Sequence, residues 1–408
     1  MKLINQINGT VINSNKNIDI RLDGKNLIIA GGNGSGKTSL ASAIYQTLQT
    51  QIAQQNFHNI PSYKSNILAF EEALNDPNAS EASRIQNKQN LQHFTQVLAS
   101  VLGPIDLEYN EPYGAMESYK NKVSTIRFFA ADRKAAISTV TSATASQPDL
   151  QSINSGMPMG NNLEQHLVNL KVRSALAMQA GELGERPLHA ESWIDSFTQN
   201  IKYLFEDQST RLVFAPDQLR FFISQDGKPQ YTFQSLSSGY LAIFDIYADL
   251  LMHTEYAQIK PSDLSGVVII DEIDAHLHVS LQRKILPFFT ASFPNIQFIV
   301  TTHSPFVLTS VDSAVIFDMT TCKTAAELSM FSYESVVEGL LGVPPISKKL
   351  EDAINELTEI TKSDIFDRQT AEHLLSTITP YVDVLDAESE MFYQIAANKI
   401  IKSKAENN

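Results

Sequence analysis

With a single cysteine, Cys322, among its 408 residues, this chain cannot hold its fold with an internal disulfide, which excludes the disulfide-stapled classes. Nowhere does it approach the eighteen or so consecutive apolar residues of a membrane-spanning helix. The opening Met1-Lys2-Leu3-Ile4-Asn5-Gln6 turns polar before the apolar centre of an export signal can form, so a cytoplasmic chain without a membrane span is expected. Positive charge is scarce. Against 45 acidic residues stand 31 basic ones, and the net charge of −14 opposes a general electrostatic grip on nucleic acid. Only 17 Gly and 16 Pro exclude collagen-like and low-complexity chains, and 43% hydrophobic with 19% charged residues is a globular composition. The length exceeds what one hydrophobic core usually serves, so two lobes or more are expected.

The acidity is uneven: Val311 to Asn408 hold 17 acids and 8 bases, while residues 1 to 310 hold 28 and 23. Alternating Leu3 to Ile7 and Ile18 to Leu22 predict half-buried strands, and the apolar run Leu27-Ile28-Ile29-Ala30 predicts a buried one. A helix of roughly fifteen residues is expected from Thr38, then an Asn/Gln-rich helical insertion from about Asn56 to Lys122, and a strand at Thr125 to Ala130. Val140 to Asn162 is nearly uncharged and rich in Ser, Thr, Gly and Pro, which predicts a mobile loop. Helices follow near Leu163 to Ala180 and Glu191 to Phe205, then short strands at Arg211 to Phe214, Arg220 to Ile223 and Gln230 to Phe233. Beyond Asp318 the pattern is helical, with breaks at Pro344-Pro345 and Ser363-Asp364.

The chemistry is concentrated in four short strings. Gly31-Gly32-Asn33-Gly34-Ser35-Gly36-Lys37-Thr38 fits G-x-x-x-x-G-K-S/T between a buried strand and a helix, the context a phosphate-binding loop requires. Chance produces this spelling in roughly one chain of this length in a hundred, so an ordinary glycine turn is the weaker reading. Glycines let backbone N–H groups surround a phosphate chain, the helix presents its positive end, Lys37 reaches the β- and γ-phosphates and Thr38 can ligate Mg²⁺. Val267-Val268-Ile269-Ile270-Asp271-Glu272 is a buried-strand run ending in two carboxylates, Asp271 for the metal and Glu272 to polarise a water. Leu236-Ser237-Ser238-Gly239-Tyr240 opens an apolar helix, a second anion-binding cap. Thr301-Thr302-His303-Ser304-Pro305 places an imidazole at the end of another buried strand.

In this order the strings resemble the ATP-binding-cassette class, in its SMC-like and RecF-like branch. Asp271-Glu272-Ile273-Asp274-Ala275-His276-Leu277-His278 is similar to the DExDAHLH form of OLD-like ATPases. The resemblance covers residues 1–55 and 205–318 well. It implies an α/β fold: an ABC-type ATPase head, a mixed sheet around a P-loop core, with helical insertions and a helical C-terminal tail. The domains expected are 1–55, the first part of the head; 56–204, a helical lobe with a connecting strand and loop; 205–318, the second part; and 319–408, an acidic tail. It further implies ATP and Mg²⁺ as ligands, with Asn33, Gly34, Ser35, Gly36, Lys37, Thr38 and Ser39 around the nucleotide and Thr38 and Asp271 on the metal. Lys37, Glu272 and His303, the last as γ-phosphate sensor, would be catalytic. Ser237, Ser238 and Gly239 of one subunit would cap the nucleotide held by another, so at least a dimer is implied. Ser238 and Tyr240 depart from the LSGGQ pattern, and Gln49, Gln51, Gln54 and Gln55 all compete for the Q-loop position.

His276, His278 and His303 invite a metal-cluster reading, but neither an HExxH spacing nor a cysteine pair accompanies them. Arg127, Asp132 and Arg133 close a strand, either near nucleotide or partner or as a solvated strand end. Trp193 reads as core. The tail lacks the acidic pattern of a Toprim nuclease: Asp383-Val384-Leu385-Asp386 has the wrong spacing. An ATPase without its own effector is similar to the ATPase subunits of two-component anti-phage systems, Septu with an HNH nuclease or PARIS with a Toprim-like effector. That resemblance implies a separately encoded nuclease partner and a phage or DNA trigger. The acidic tail from Glu334 to Lys404, with Leu350, Ile354 and Leu357 at helical spacing, is a candidate docking face. Two rivals remain: a RecF-like repair ATPase that clamps duplex DNA directly, and an assembly in which ATP is structural.

Overall fold

The computed structural model describes residues 2–11, 14–76, 79–133, 136–144, 150–180, 185–325, 348–363, 367–385 and 387–406. The chain divides into two compact units, Met1–Phe331 and Ser332–Asn408.

The first unit contains β1 (Ile4–Val11), β2 (Lys16–Arg21), β3 (Asn26–Ala30), β4 (Asp106–Tyr109), β5 (Ser124–Phe129), β6 (Arg211–Ala215), β7 (Arg220–Ser224), β8 (Ser265–Ile270), β9 (Ile296–Thr301), β10 (Ala314–Asp318) and β11 (Lys323–Ala325). Its helices are α1 (Lys37–Leu48), α2 (Ile60–Asn75), α3 (Glu81–Leu102), α4 (Pro112–Lys120), α5 (Leu163–Gln179), α6 (Glu185–Phe205), α7 (Ser238–Ala257), α8 (Val279–Gln282), α9 (Ile285–Ser292) and α10 (Pro305–Leu308).

A six-stranded sheet in the order β11-β10-β3-β9-β8-β5 forms the centre. Its strands are parallel except for the β11 edge. Strands covered on both faces are largely apolar, and β3 and β9 are buried at every position, with the buried Asn26 and Gln297 side chains hydrogen-bonded to backbone. Val267 to Ile270 of β8 are fully buried, each side chain contributing roughly 1.5–3 kcal/mol of transfer free energy. At Gly266 an added Cβ would lie 1.9 Å from the Thr125 carbonyl oxygen, so only glycine lets β8 approach β5 there. Because β3, β9, β8 and β5 are parallel neighbours, the loops leaving their C-terminal ends emerge on one edge, where α/β sheets bind ligands.

The other sheets modify the sequence-based expectation. In the three-stranded sheet β2-β1-β4, β1 pairs antiparallel with both neighbours. The lobe expected to be helical therefore returns a strand, β4, to the N-terminal sheet, with Leu107 opposite Ile7. Between them α2 and α3 form a hairpin held by aromatic contacts, Phe70 stacking on Phe94 at 5.6 Å. The expected strands β6 and β7 form and pair antiparallel with one another, whereas Gln230 to Phe233 contributes only a bridge at Tyr231. Thr232 and Ser235 cap one another there and turn the chain into a short 3₁₀ helix.

The segment Val140 to Asn162, expected as a mobile loop, is fastened down in its described parts. Val140, Ile153 and Met159 are buried, and the Met159 N–H donates to Asp249 Oδ1 at 2.7 Å. Asp249, in the apolar helix α7, also accepts two hydrogen bonds from Arg127 of β5, and Arg127 Nη2 donates to the Met157 carbonyl at 2.8 Å. A buried ion pair of this kind needs every lone pair and N–H occupied, and the loop supplies the missing groups. Residues 145–149 lie outside the described part. Trp193 stacks on Phe197 at 5.6 Å and donates to Glu255, a packing role in keeping with its sequence reading.

His253, on α7, is fully buried, and its Nε2 contacts the Lys122 carbonyl at 2.9 Å, so Nε2 carries the proton. Its Nδ1 is buried without a partner. Burial, above all, pushes its pKa from 6.5 down to about 4. Between those values the unfolded chain binds a proton that the folded chain refuses, so stability falls as pH drops from about 6.5 towards 4. At about 1.4 kcal/mol per pH unit the full contribution is about 3 kcal/mol. Urea unfolding of wild type and His253→Gln across pH 4–7 is expected to show a flatter profile for the variant. Parallel profiles would refute the assignment.

The second unit is described from α11 (Lys348–Lys362), α12 (Arg368–Ile378) and α13 (Ala387–Glu406). Ile354 and Leu357 pack with Ala371, Leu374, Ile378, Ala396 and Ile400, and Leu350 lies against them. The apolar positions nominated for docking thus form this unit's own interior. The Pro344-Pro345 break, and the nominated tail up to Ser347, lie outside the described residues.

Candidate functional site

Gly31 to Thr38 join the end of β3 to α1. Gly36 caps the helix in a left-handed conformation, φ 103°, that other residues adopt at a cost, and no side chain caps the N-terminus. The first-turn N–H groups are thereby offered to an external acceptor. Around Gly32 and Gly34 no atom lies within 4 Å of an added Cβ, and the buried Ser35 Oγ has no hydrogen-bond partner. An open cradle with an orphaned hydroxyl and an uncapped helix end fits a chain of phosphates.

The Lys37 side chain folds back over this cradle, donating to the carbonyls of Gly31 and Gly32 at 3.0 and 3.1 Å. Its Nζ is 2.6 Å from His303 Nε2, the imidazole that β9 brings to the adjacent position. An ammonium can only donate, so His303 accepts at Nε2 and is neutral. Burial and the Lys37 charge hold its pKa below the ordinary histidine value. Burial likewise lowers the Lys37 pKa, opposed by Glu272, then Asp271 and Asp274.

From β8 comes Asp271, buried, accepting from the Thr38 hydroxyl at 2.9 Å and from Thr301 Oγ1 at 2.6 Å. The same Thr301 oxygen accepts the Glu272 N–H at 2.7 Å. Asp274 accepts from Thr302, whose oxygen in turn accepts the Ser304 N–H at 2.9 Å, bracketing His303 from both sides. The predicted residues Lys37, Thr38, Asp271, Glu272 and His303 therefore meet at the ends of three adjacent strands. The hydroxyl of Thr38 beside the Asp271 carboxylate is a donor set suited to Mg²⁺.

Ser237 and Ser238 are exposed at the start of α7, where no side chain caps the helix. Gly239 is buried, and a Cβ there would lie 2.7 Å from the His276 carbonyl oxygen. The signature thus abuts the loop that follows the two carboxylates. None of the candidate Q-loop glutamines is near the cradle along the chain. Twelve residues of α1, about 18 Å of helix, precede Gln49. Gln51 donates to the Leu102 carbonyl and accepts from Tyr109, while Gln49 donates to Ile126, so both brace the fold. Among the described residues, no three His, Cys, Asp or Glu side chains could together hold a metal ion. No described helix is long and apolar enough to cross a membrane.

Sequence reasoning missed Thr301, Thr302 and Asp274, although all three lie inside the strings it quoted. It also missed Lys16, whose Nζ donates to the carbonyls of Ser35 and Met319 at the side of the cradle. Hydrogen bonds to backbone leave no spacing pattern to find.

Cradle, carboxylates, strand-end histidine and signature helix together define an ABC-like ATPase head. Residues 64–309 match the family described as "AAA domain, putative AbiEii toxin, Type IV TA system", and the chain belongs to it. The matched segment contains the signature, the acids and His303, and begins after the cradle. Retron Ec83 probable ATPase of Escherichia coli is 32% identical over 154 residues, 37% of this chain and 27% of that protein. Septu protein PtuA of Bacillus mycoides (strain KBAB4) is 41% identical over 75 residues, 18% of this chain and 10% of that protein. The chain thus spans about a quarter or less of the length of these relatives. The SMC head domain from Thermotoga maritima is 13% identical with a TM-score of 0.35, covering 80% of this chain and 98% of that one.

Proposed function

We propose that the chain is an ATP-hydrolysing subunit of an anti-phage defence complex, acting as at least a dimer and controlling a separately encoded nuclease effector. The observation that carries the enzymatic part is the meeting of Lys37, Thr38, Asp271, Glu272 and His303 at the ends of β3, β8 and β9. The local similarity to retron and Septu ATPases supports the defence role.

In this reading the helix end and Lys37 orient the triphosphate, and Lys37 balances its charge. Thr38 and Asp271 would hold Mg²⁺, which supplies charge neutralisation at the phosphate oxygens. Glu272 takes the proton of the attacking water, and neutral His303 offers its Nδ1 hydrogen or, once Lys37 turns to phosphate, its free Nε2 to the reacting group.

Two features support the dimer reading: the open space around Gly32 and Gly34 in the cradle, and the exposure of Ser237 and Ser238, which would seal a neighbour's nucleotide. A complementation experiment tests it. Lys37→Ala removes the cradle's cation and Ser238→Arg blocks the seal, so each variant alone is expected to be inactive. Mixed, they form one intact composite site and are expected to recover turnover. A mixture as inactive as its components would refute the shared site.

A further inference from the structure

Arg133 lies just beyond β5, in the loop beside the carboxylate-bearing end of β8. Its Nη1 donates to the carbonyls of Ala130 at 3.0 Å and Asp271 at 2.7 Å. Its Nη2 donates to Glu272 at 3.0 Å and, more weakly, to Ile273 at 3.4 Å. Three successive carbonyls of one chain thus converge on a single guanidinium. Extended or helical backbone cannot aim three consecutive carbonyls at one point, and here the chain turns through Glu272 in a left-handed conformation, φ 45°. For a residue with a side chain that conformation is strained. The charge-assisted hydrogen bonds from the guanidinium offset that strain.

From this geometry we infer that Arg133 is a positioning residue for hydrolysis: it fixes the strained main chain at Glu272 and so aims the carboxylate at the phosphate cradle. The inference rests on the ATPase reading of the site. Two further observations favour positioning over a simple loop brace. Arg133 Nε is buried without a partner, so the group sits where its own hydrogen bonding is incomplete. And the backbone it holds belongs to Asp271 and Glu272, the residues on which the site depends. Asp245 of α7 is the foremost of the carboxylates that favour its charged form against the cost of burial.

The test is a double-mutant cycle in the full chain, with Arg133→Met, Arg133→Lys and Glu272→Gln, read by single-turnover hydrolysis and by binding of a fluorescent ATP analogue. Arg133→Met is expected to lower turnover about 30-fold or more while nucleotide affinity stays within about threefold. Arg133→Lys is expected to recover part of the rate, since an ammonium can still donate to two of the carbonyls. In the Glu272→Gln background Arg133→Met is expected to add no further loss, because its effect passes through the missing carboxylate. The inference is overturned by wild-type turnover in Arg133→Met, by affinity falling in step with rate, or by the same fold-loss with and without Glu272. Should the methionine variant fail to fold, the lysine variant carries the same cycle. Failure of the ATPase reading looks different: wild type and Glu272→Gln would then hydrolyse ATP equally or not at all.

Discussion

Lys37→Ala is expected to bind ATP about a hundredfold more weakly than wild type, measured by calorimetry at matched ionic strength. The ammonium is the cation seated at the cradle's mouth, within 3.1 Å of two loop carbonyls. Its removal deletes charge-assisted contacts of about 1.5–3 kcal/mol, and 1.4 kcal/mol is a factor of ten. It also leaves the carbonyls of Gly31 and Gly32 facing a polyanion. A second readout distinguishes this from unfolding. The Lys37 charge contributes to the depression of the His303 pKa, so in the variant that pKa is expected to rise towards the ordinary histidine value, visible in the imidazole NMR signals. Unchanged affinity would remove Lys37 from the site.

Glu272→Gln is expected to do the reverse. An amide of the same shape keeps packing and hydrogen bonding but cannot accept the proton of an attacking water. Nucleotide affinity should stay near that of wild type, while single-turnover hydrolysis falls by roughly 10²–10⁴-fold, the usual contribution of a positioned base. Because bound ATP is no longer consumed, the proposed dimer is expected to accumulate in this variant, read by size-exclusion chromatography with light scattering. Rapid hydrolysis in this variant would show that another group takes the proton, and Asp274, also felt by His303, would be the next to test. The pair of variants separates binding from chemistry.

Much of this site was legible in the sequence because its elements are local. The glycine loop, the acids after Val267 to Ile270 and the histidine after β9 each occupy a few consecutive residues beside an apolar run. What was hidden depends on distant pairing. β4 joins β1 across about a hundred residues, and nothing in Asp106 to Tyr109 announces its partner. Arg133 acts on carbonyls, which every residue possesses, so its targets have no sequence signature. The anchoring of the 140–162 segment was partly recoverable. Asp249 stands between Ala248 and Leu250 in the buried middle of α7, and a buried carboxylate demands a cation, which Arg127 supplies from β5. The Q-loop position stayed open in the sequence because four glutamines follow α1 within a few residues and nothing in their spacing separates them.

Where Gly239 meets the His276 carbonyl, there is no slack to absorb a displacement. The serine-bearing tip of α7 therefore cannot press closer to the segment descending from Glu272 without pushing it, like a lever resting on its stop. A neighbouring copy pressing on that tip would load the very stretch of chain that holds the base.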